Sequence, residues 1–277
     1  MQTIAVLLTV HNRKVQTMQC LANVYQQSLP KDCCIDVWLT NDGCTDGTAE
    51  AVAATYPDVH ILQGDGNLYW NRGMYKAWQE AARHKAYDYY LWLNDDTFIY
   101  NDCIAELLKT ANDYVGKAIV VGACCDNLPQ KALTYGGRRN DGALVEPNGT
   151  AAKVDYFNGN IVLVPDYVYS KIGCLDNYFM HSKGDFDYGL RARKARITIV
   201  QAGKILGQCD KHNALDDWCN PTVPLKKRLK KLHQPNGMPP KETFYFEKKH
   251  YNIGVAAFHF CTIYIRCFMP NLWKMKK

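Results

Sequence analysis

Long apolar runs, paired-cysteine motifs and repeats are all missing from this sequence, and each absence removes a class of protein. The longest apolar stretch, Ile253 to Ile265, is interrupted by His259 and closed by Arg266, well short of the roughly 18 residues a membrane-spanning helix needs. No C-x-x-C occurs among the twelve cysteines, and two pairs, Cys33-Cys34 and Cys124-Cys125, are simply adjacent. No zinc ribbon or dithiol redox motif is therefore readable. Met1-Gln2-Thr3 offers no basic leader, and the apolar run Ile4 to Leu8 is too short for a signal peptide. Gly plus Pro reach only 30 of 277 residues, with no repeat or low-complexity tract, so disordered, collagen-like and coiled-coil readings fail. The expectation is a folded protein in a reducing cytoplasm, its cysteines serving as small buried apolar groups.

What is present suits a large core: 47% of the residues are hydrophobic, enough for one large α/β domain or two small ones. Charge is unevenly spread. Up to residue 200 there are 19 Lys/Arg against 22 Asp/Glu, and beyond it 14 against 5. A basic tail on a mildly acidic body suggests an anionic partner, either a lipid headgroup layer or nucleic acid. Nucleic acid is disfavoured, because the Lys-rich segment lacks interleaved base-stacking aromatics.

Through the first 125 residues, short β-branched runs alternate with segments of helical period, the signature of βαβ units on a parallel sheet. Strands are predicted at Ile4–Thr9, Ile35–Thr40, Val59–Leu62, Tyr89–Leu93 and Ile119–Gly122, with a helix through Val15, Met18, Leu21 and Val24. Further helices are predicted over Thr48–Tyr56, Met74–Lys85 and from a cap at Asn101 to about Val115. Turn residues dominate from Asn127 to Gly149, followed by strands at Asn160–Val164 and Ile197–Val200 with a helix over Phe186–Lys194 between them. After Gly207 the alternation stops, leaving a basic helix at Leu225–Leu232, a Pro-rich break at Pro235–Pro240 and an apolar C-terminal segment.

Four clusters carry chemistry. Asn41-Asp42-Gly43-Cys44-Thr45-Asp46-Gly47-Thr48 lies where the second strand gives way to a helix, the place where open α/β sheets bind ligands. It is either a nucleotide-facing loop with Asp42 accepting from a base or ribose, or a plain turn with Asp46 as cap. Gly64-Asp65-Gly66-Asn67-Leu68-Tyr69 begins as G-x-G, but the third glycine of a dinucleotide fingerprint falls at Tyr69, so that fingerprint fails. Its backbone amides and Arg72 remain suited to a diphosphate, while Tyr69 and Trp70 either stack on a sugar or base or belong to the core. Leu93-Asn94-Asp95-Asp96-Thr97 ends a buried strand in adjacent acids, which repel unless a cation or donors neutralise them. Hard Mg2+ or Mn2+ prefers such oxygens shared with substrate phosphates; the bland alternative is a turn that caps a helix. Gly184-Asp185-Phe186-Asp187-Tyr188-Gly189-Leu190-Arg191 places an acid at a helix start, where the macrodipole lowers a carboxyl pKa and favours the ionised form of a base. Asp187 is spaced to pair with Arg191.

Taken in order, Thr9-Val10-His11-Asn12-Arg13, the Asn41–Thr48 segment, Leu93–Thr97 and Asp185–Arg191 resemble the inverting, metal-dependent glycosyltransferases of family 2, in particular rhamnosyl- and galactofuranosyl-transferase types of bacterial surface polysaccharide. The resemblance covers roughly residues 1 to 210 and implies the GT-A fold, an α/β mixed and mostly parallel sheet flanked by helices, followed by a basic, amphipathic helical tail over 211–277. It implies that a nucleotide-sugar donor is held by Thr9, His11, Arg13, Asp42, Asn67, Arg72, Asn94 and Asp95. It implies a divalent metal at Asp96 with His212, a catalytic base at Asp185, and Asn158 and Asn160 on the acceptor side. Three positions depart from the pattern: Asn41 and Asn94 stand where an acid is usual, and Gly184 stands where a second acid often precedes the base.

In the tail, Leu225, Leu229 and Leu232 share one helical face among five cations, the pattern of a helix lying in an anionic interface. The segment from Val255 through Trp273, followed by Lys274, Lys276 and Lys277, offers a second shallow contact. The same helices alternatively pack on the catalytic domain or on a second copy in a homo-oligomer. The implied setting is the inner face of a plasma membrane, with a lipid-linked glycan as acceptor. The competing readings are a degenerate glycan-binding or scaffold protein of the same fold and a sugar nucleotidyltransferase; for the latter, Thr9–Lys14 is a poor activating loop.

Overall fold

The computed structural model describes residues 1–211 and 215–272. Strand and helix alternate through β1 (Gln2–Val10), α1 (Lys14–Tyr25), β2 (Cys33–Asn41), α2 (Thr48–Thr55), β3 (His60–Gln63), α3 (Tyr69–His84), β4 (Tyr89–Leu93), β5 (Phe98–Ile99), α4 (Cys103–Asp113) and β6 (Ala118–Cys125). Short strands follow at β7 (Leu133–Tyr135), β8 (Gly137–Arg138), β9 (Ala152–Lys153) and β10 (Tyr156–Phe157). After them come β11 (Ile161–Pro165), α5 (Asp166–Ile172), α6 (Gly184–Lys194), β12 (Thr198–Gln208), α7 (Leu225–Leu232), α8 (Pro240–His250) and α9 (Ile253–Phe268).

The main sheet runs β3-β2-β1-β4-β11-β6-β12-β5. β1 is parallel to β2 and β4, β2 to β3, and β6 to β12, while β11 enters antiparallel between β4 and β6. Helices cover both faces. Leu21 and Val24 of α1, Val52 of α2 and Leu107 and Leu108 of α4 pack on Val6, Leu8, Leu39 and Leu91. Trp78 of α3, Val168 of α5 and Tyr188 of α6 pack on Leu7, Trp92, Val121 and Val162. Burial on both sides is why the central strands read as unbroken apolar runs rather than alternating ones. The chain steps outward from β1 to β3 and then returns to the other side of β1 with β4, so its direction reverses at the carboxyl ends of β1 and β4. That reversal leaves a crevice where loops, not strands, fill the space.

Several elements differ from their sequence-based bounds. α3 starts at Tyr69 rather than Met74, α4 has Asp102 rather than Asn101 at its cap position, and β12 runs on to Gln208 across a bulge between Gln201 and Ile205. The Pro-rich break predicted at Pro235–Pro240 meets α8 at the last residue of the break. Pro240 opens the helix, because the first helical turn needs no amide donor.

The chain forms two compact units. The first holds Met1–Asn177 and Gly184–Lys211; Tyr178–Lys183, which the sequence places inside the catalytic domain, groups with the second unit and its described residues 215–272. In the second unit, Trp218, Leu232, Ile263 and Cys267 make a small core with Leu229 against it. Arg228 is buried there and donates from Nε to the Cys267 carbonyl (2.8 Å), from Nη2 to that of Phe268 (3.3 Å) and from Nη1 to that of Val223 (2.9 Å), so a guanidinium satisfies carbonyls at the end of α9. This corrects the reading of α7 as a helix with its leucines in lipid: Leu229 and Leu232 face protein, and one of the five cations is structural. Among the described residues no helix is long and apolar enough to cross a membrane.

Candidate active site

The loops that leave β1, β2 and β3 interlock before any ligand is considered. Asn12, in a left-handed conformation at φ 52°, accepts the Thr45 amide on Oδ1 (2.7 Å), and its own amide reaches Cys44 Sγ at 3.2 Å. His11 donates from Nδ1 to the Asp42 carbonyl at 2.6 Å, which fixes its tautomer. Asp46 accepts the amides of Lys14 (2.9 Å) and Thr48 (3.1 Å) and so ties the starts of α1 and α2 together. Asn41 accepts the Cys44 amide (2.9 Å) and donates to Gln63 Oε1 (3.0 Å); an amide side chain can do both, a carboxylate cannot. Gly43, at φ 67°, lies so close to Gly66 that a Cβ on it would stand 2.8 Å from the Gly66 Cα.

Asp42 is the hinge of this arrangement. It is 2% exposed. Its Oδ1 accepts the Gly66 amide (2.9 Å), its Oδ2 accepts the Tyr69 amide (2.9 Å), and the Leu68 amide lies 3.0 Å from Oδ2 and 3.2 Å from Oδ1. The carboxylate expected to meet a nucleoside also accepts three backbone donors that shape the loop from 64 to 69.

At the end of β4 the acids do not act alike. Asn94 Oδ1 accepts from Trp70 Nε1 at 2.7 Å. Asp95 and Asp96 are both bridged by Arg13 Nη1, at 3.2 Å and 2.7 Å. Asp95 is nearly buried, and its Oδ2 has no hydrogen-bond partner. Burial, opposed by Arg13 and assisted by Asp96, pushes its pKa up to about 7. Asp96 keeps about a third of its side chain exposed (32%) and lies 3.8 Å from Cys209 Sγ. Two adjacent carboxylates with a free buried oxygen and an exposed one fit a hard divalent cation. Among the described residues, no group of three or more His, Cys, Asp or Glu side chains converges as a metal cage. His212 lies outside the described residues.

Asp185 sits in the first turn of α6, accepting the Gly159 amide on Oδ2 (3.0 Å) and the Phe186 amide on Oδ1 (2.8 Å). Burial nevertheless pushes its pKa up to about 6, against the pull of those amides and of Arg138. The expected lowering by the helix terminus is thereby corrected, since desolvation outweighs it. The segment that donates the Gly159 amide to Asp185 is also joined to the acid pair through the backbone, for Asn160 accepts the Asn94 amide on its carbonyl (3.3 Å). Asp187, fully buried, takes the Arg191 Nε at 2.8 Å, so of the two acids on α6 it is the structural one.

The other expected contacts fall as follows. Thr9 packs on Gly73 of α3, where a Cβ would collide with its hydroxyl. Exposed Asn67 folds onto Asp65, its amide 2.9 Å from Oδ1, and Arg72 Nε donates to the Asn177 carbonyl at 3.1 Å. Asn158 accepts from Arg138 Nε at 2.8 Å. Asn160 is buried behind the acids, with Nδ2 3.4 Å from both Thr97 Oγ1 and Cys209 Sγ, so its side chain does not reach an acceptor. Trp70, read from the sequence as a stacking or core aromatic, donates to Asn94, and Gly159, Arg138 and Cys209 join the site beside it. Gly184 has a steric reason: a Cβ there would collide with Asn71.

Gly159 yields a prediction. A Cβ on it would lie 2.7 Å from Cζ2 and Cη2 of Trp70 and 3.3 Å from the Asp185 Cβ. Gly159→Ala is expected to fold, to lose about 1–3 kcal/mol from overpacking and to slow turnover about tenfold. Unchanged kinetics would show that the Trp70–Asp185 spacing is not critical.

The model of the family described as Glycosyl transferase family 2 matches residues 5–149, just over half of the chain. No curated protein matches it significantly. Among solved structures, S. aureus TarS 1–349 in complex with UDP is similar with a TM-score of 0.56 at 13% identity, over 76% of this chain and 60% of that one. The mannosyltransferase PcManGT from Pyrobaculum calidifontis, in complex with GDP-Man and Mn2+, is similar with a TM-score of 0.55 at 16% identity, over 92% of this chain and 72% of that one. This chain thus spans about three-fifths of the TarS fragment, and identities this low speak for the fold alone. With the strand order, the loops at the β1/β4 reversal and the family match together, the chain belongs to glycosyl transferase family 2 and carries the GT-A fold of a glycosyltransferase.

Proposed function

We propose that the protein transfers a sugar from a nucleoside-diphosphate donor to a hydroxyl of a glycan acceptor, with inversion at the anomeric carbon and with Mn2+ or Mg2+ at Asp95 and Asp96. The observation that carries this reading is the buried, partnerless Oδ2 of Asp95 beside Asp96 at the sheet's reversal point. When bound, the cation stabilises charge on the departing diphosphate. Among the described residues only the Asp95 and Asp96 carboxylates converge here, so phosphate oxygens and water would supply the other ligands. Arg13, which bridges the acids, would share the phosphate charge. Asp185 takes the proton of the acceptor hydroxyl while that oxygen forms its bond to the anomeric carbon and the bond to the diphosphate oxygen breaks on the opposite face. A carboxyl that titrates near 6 suits this task, being ionised at neutral pH and still basic. A lipid-linked acceptor is the partner most compatible with the basic second unit.

The test is thermal unfolding against UDP-, GDP-, dTDP- and CMP-sugars, each with and without Mn2+. One nucleotide series is expected to raise the midpoint by about 5 °C at saturating ligand, only with metal, and Asp96→Ala should abolish the shift. Absence of any shift in a well-folded protein would favour a degenerate scaffold of the same fold.

A further inference from the structure

The first turn of α3 carries a side chain that touches both halves of the candidate site. Tyr69 opens the helix where a dinucleotide fingerprint would have its third glycine, and it is held in a left-handed conformation at φ 56°, which is strained for a residue with a side chain. Asp42 Oδ2 fixes its amide at 2.9 Å. Trp70 follows, half-buried, its ring T-shaped against fully buried Trp92 of β4 with centroids 6.2 Å apart. Its Nε1 donates to Asn94 Oδ1 at 2.7 Å. Its Cζ2 and Cη2 occupy the space over Gly159, where a Cβ would stand 2.7 Å from each. Gly159 in turn gives its amide to Asp185 Oδ2 at 3.0 Å. One indole therefore contacts the residue that leads into the acid pair and the residue that holds the base.

The bond to Asn94 also decides how that amide is turned. An indole N–H can only donate, so the amide oxygen must face Trp70, and Nδ2, with two hydrogens to give, is the arm left over. Among the described residues Nδ2 has no acceptor, and it is not one of the buried atoms that lack a partner. An acid, usual at this position, would accept from Trp70 equally well, but its second oxygen would be a further acceptor beside Asp95 and Asp96 and would repel a phosphate. The amide arm instead suits an accepting oxygen, either a phosphoryl oxygen or a sugar hydroxyl. We propose that Trp70 is a positioning residue that turns Nδ2 of Asn94 toward a nucleoside-diphosphate sugar and spaces Gly159, and through it Asp185, from the acid pair. The inference rests on the reading above that such a donor binds here.

Whole-chain variants are compared with the wild type by their unfolding midpoints against titrated UDP, GDP and dTDP and the corresponding sugar nucleotides, all with Mn2+. Trp70→Phe keeps an aromatic ring but has no N–H; it should fold and need about tenfold more sugar nucleotide for the same shift. Asn94→Asp keeps an acceptor for Trp70 but has no hydrogen to give; it should weaken binding at least as much with a ligand-free midpoint near that of the wild type. Weakening with the free diphosphate as well would place the Asn94 contact on a phosphoryl oxygen, and weakening with the sugar nucleotide alone on a sugar hydroxyl. The spacing is read without ligand. Trp70→Phe combined with Gly159→Ala should recover most of the midpoint that Gly159→Ala loses, because the smaller ring vacates the space a Cβ needs. Wild-type nucleotide response in Trp70→Phe or Asn94→Asp, or losses of midpoint that simply add in the double variant, would overturn the proposal while leaving the donor reading intact. A wild type that responds to no nucleotide would overturn the donor reading, and this proposal with it.

Discussion

Asp185→Asn is expected to fold, to lose turnover by about a thousandfold and to melt slightly above the wild type at neutral pH. The loss follows from chemistry, because an amide cannot take the acceptor proton. The gain follows from linkage. Burial raises the Asp185 pKa from the ordinary 3.8 to about 6, so the native state binds this proton more tightly than the unfolded chain does. The stability associated with the protonated form is therefore present below the unfolded pKa and is lost as pH rises to about 6. A shift of two units corresponds to about 3 kcal/mol. Asparagine removes that cost but keeps an acceptor for only one of the Gly159 and Phe186 amides and presents Nδ2 hydrogens to the other, which takes back about 2 kcal/mol and leaves a net gain of about 1 kcal/mol, or roughly 2–4 °C. In the wild type, kcat/KM is expected to climb about tenfold per pH unit below about 6 and to level off above it. A variant with full turnover, or a wild-type rate flat across that range, would remove Asp185 from the role of base.

The framework was legible because it depends on local pattern. Runs rich in β-branched residues marked β1 and β2, the apolar run Tyr89–Leu93 marked β4, and the strand ends located Asn41–Thr48 and Leu93–Thr97 within a residue or two. Contacts between distant segments were not legible. Nothing near Asn94 in the chain announces that Trp70 will bind it, and nothing near Asp185 announces the amide of Gly159. Asn160, polar and beside a strand, reads as an acceptor contact until burial shows it facing Thr97 and Cys209. The direction of the Asp185 shift was misjudged for the same reason: a helix terminus can be read from sequence, and the desolvation that outweighs it is made by residues from elsewhere. In α7 the leucine stripe was correctly placed on one face, but amphipathicity does not say whether protein or lipid covers it.

Asp42→Ala should damage the fold before it damages chemistry. The Asp42 carboxylate is the acceptor for the amides of Gly66, Leu68 and Tyr69, and each donor left unpaired near the interior costs about 1–3 kcal/mol. Water reaches part of this loop, so the total should be about 3–4 kcal/mol, a drop in midpoint of roughly 10 °C. The variant should also lose donor binding, because the contact between Gly43 and Gly66 depends on the same loop staying closed. Asp42→Asn should fare little better: its Nδ2 would present hydrogens to backbone amides that need an acceptor. This separates two roles for one residue. A side chain whose only duty was to touch the nucleoside would leave the midpoint of the ligand-free protein unchanged when removed and would erase only the nucleotide-induced shift. A large drop without nucleotide, in both variants, would identify Asp42 as the group that builds the loop. An unchanged midpoint would return it to the role of direct ligand, and the three amide bonds would then have to be weaker in solution than their geometry implies.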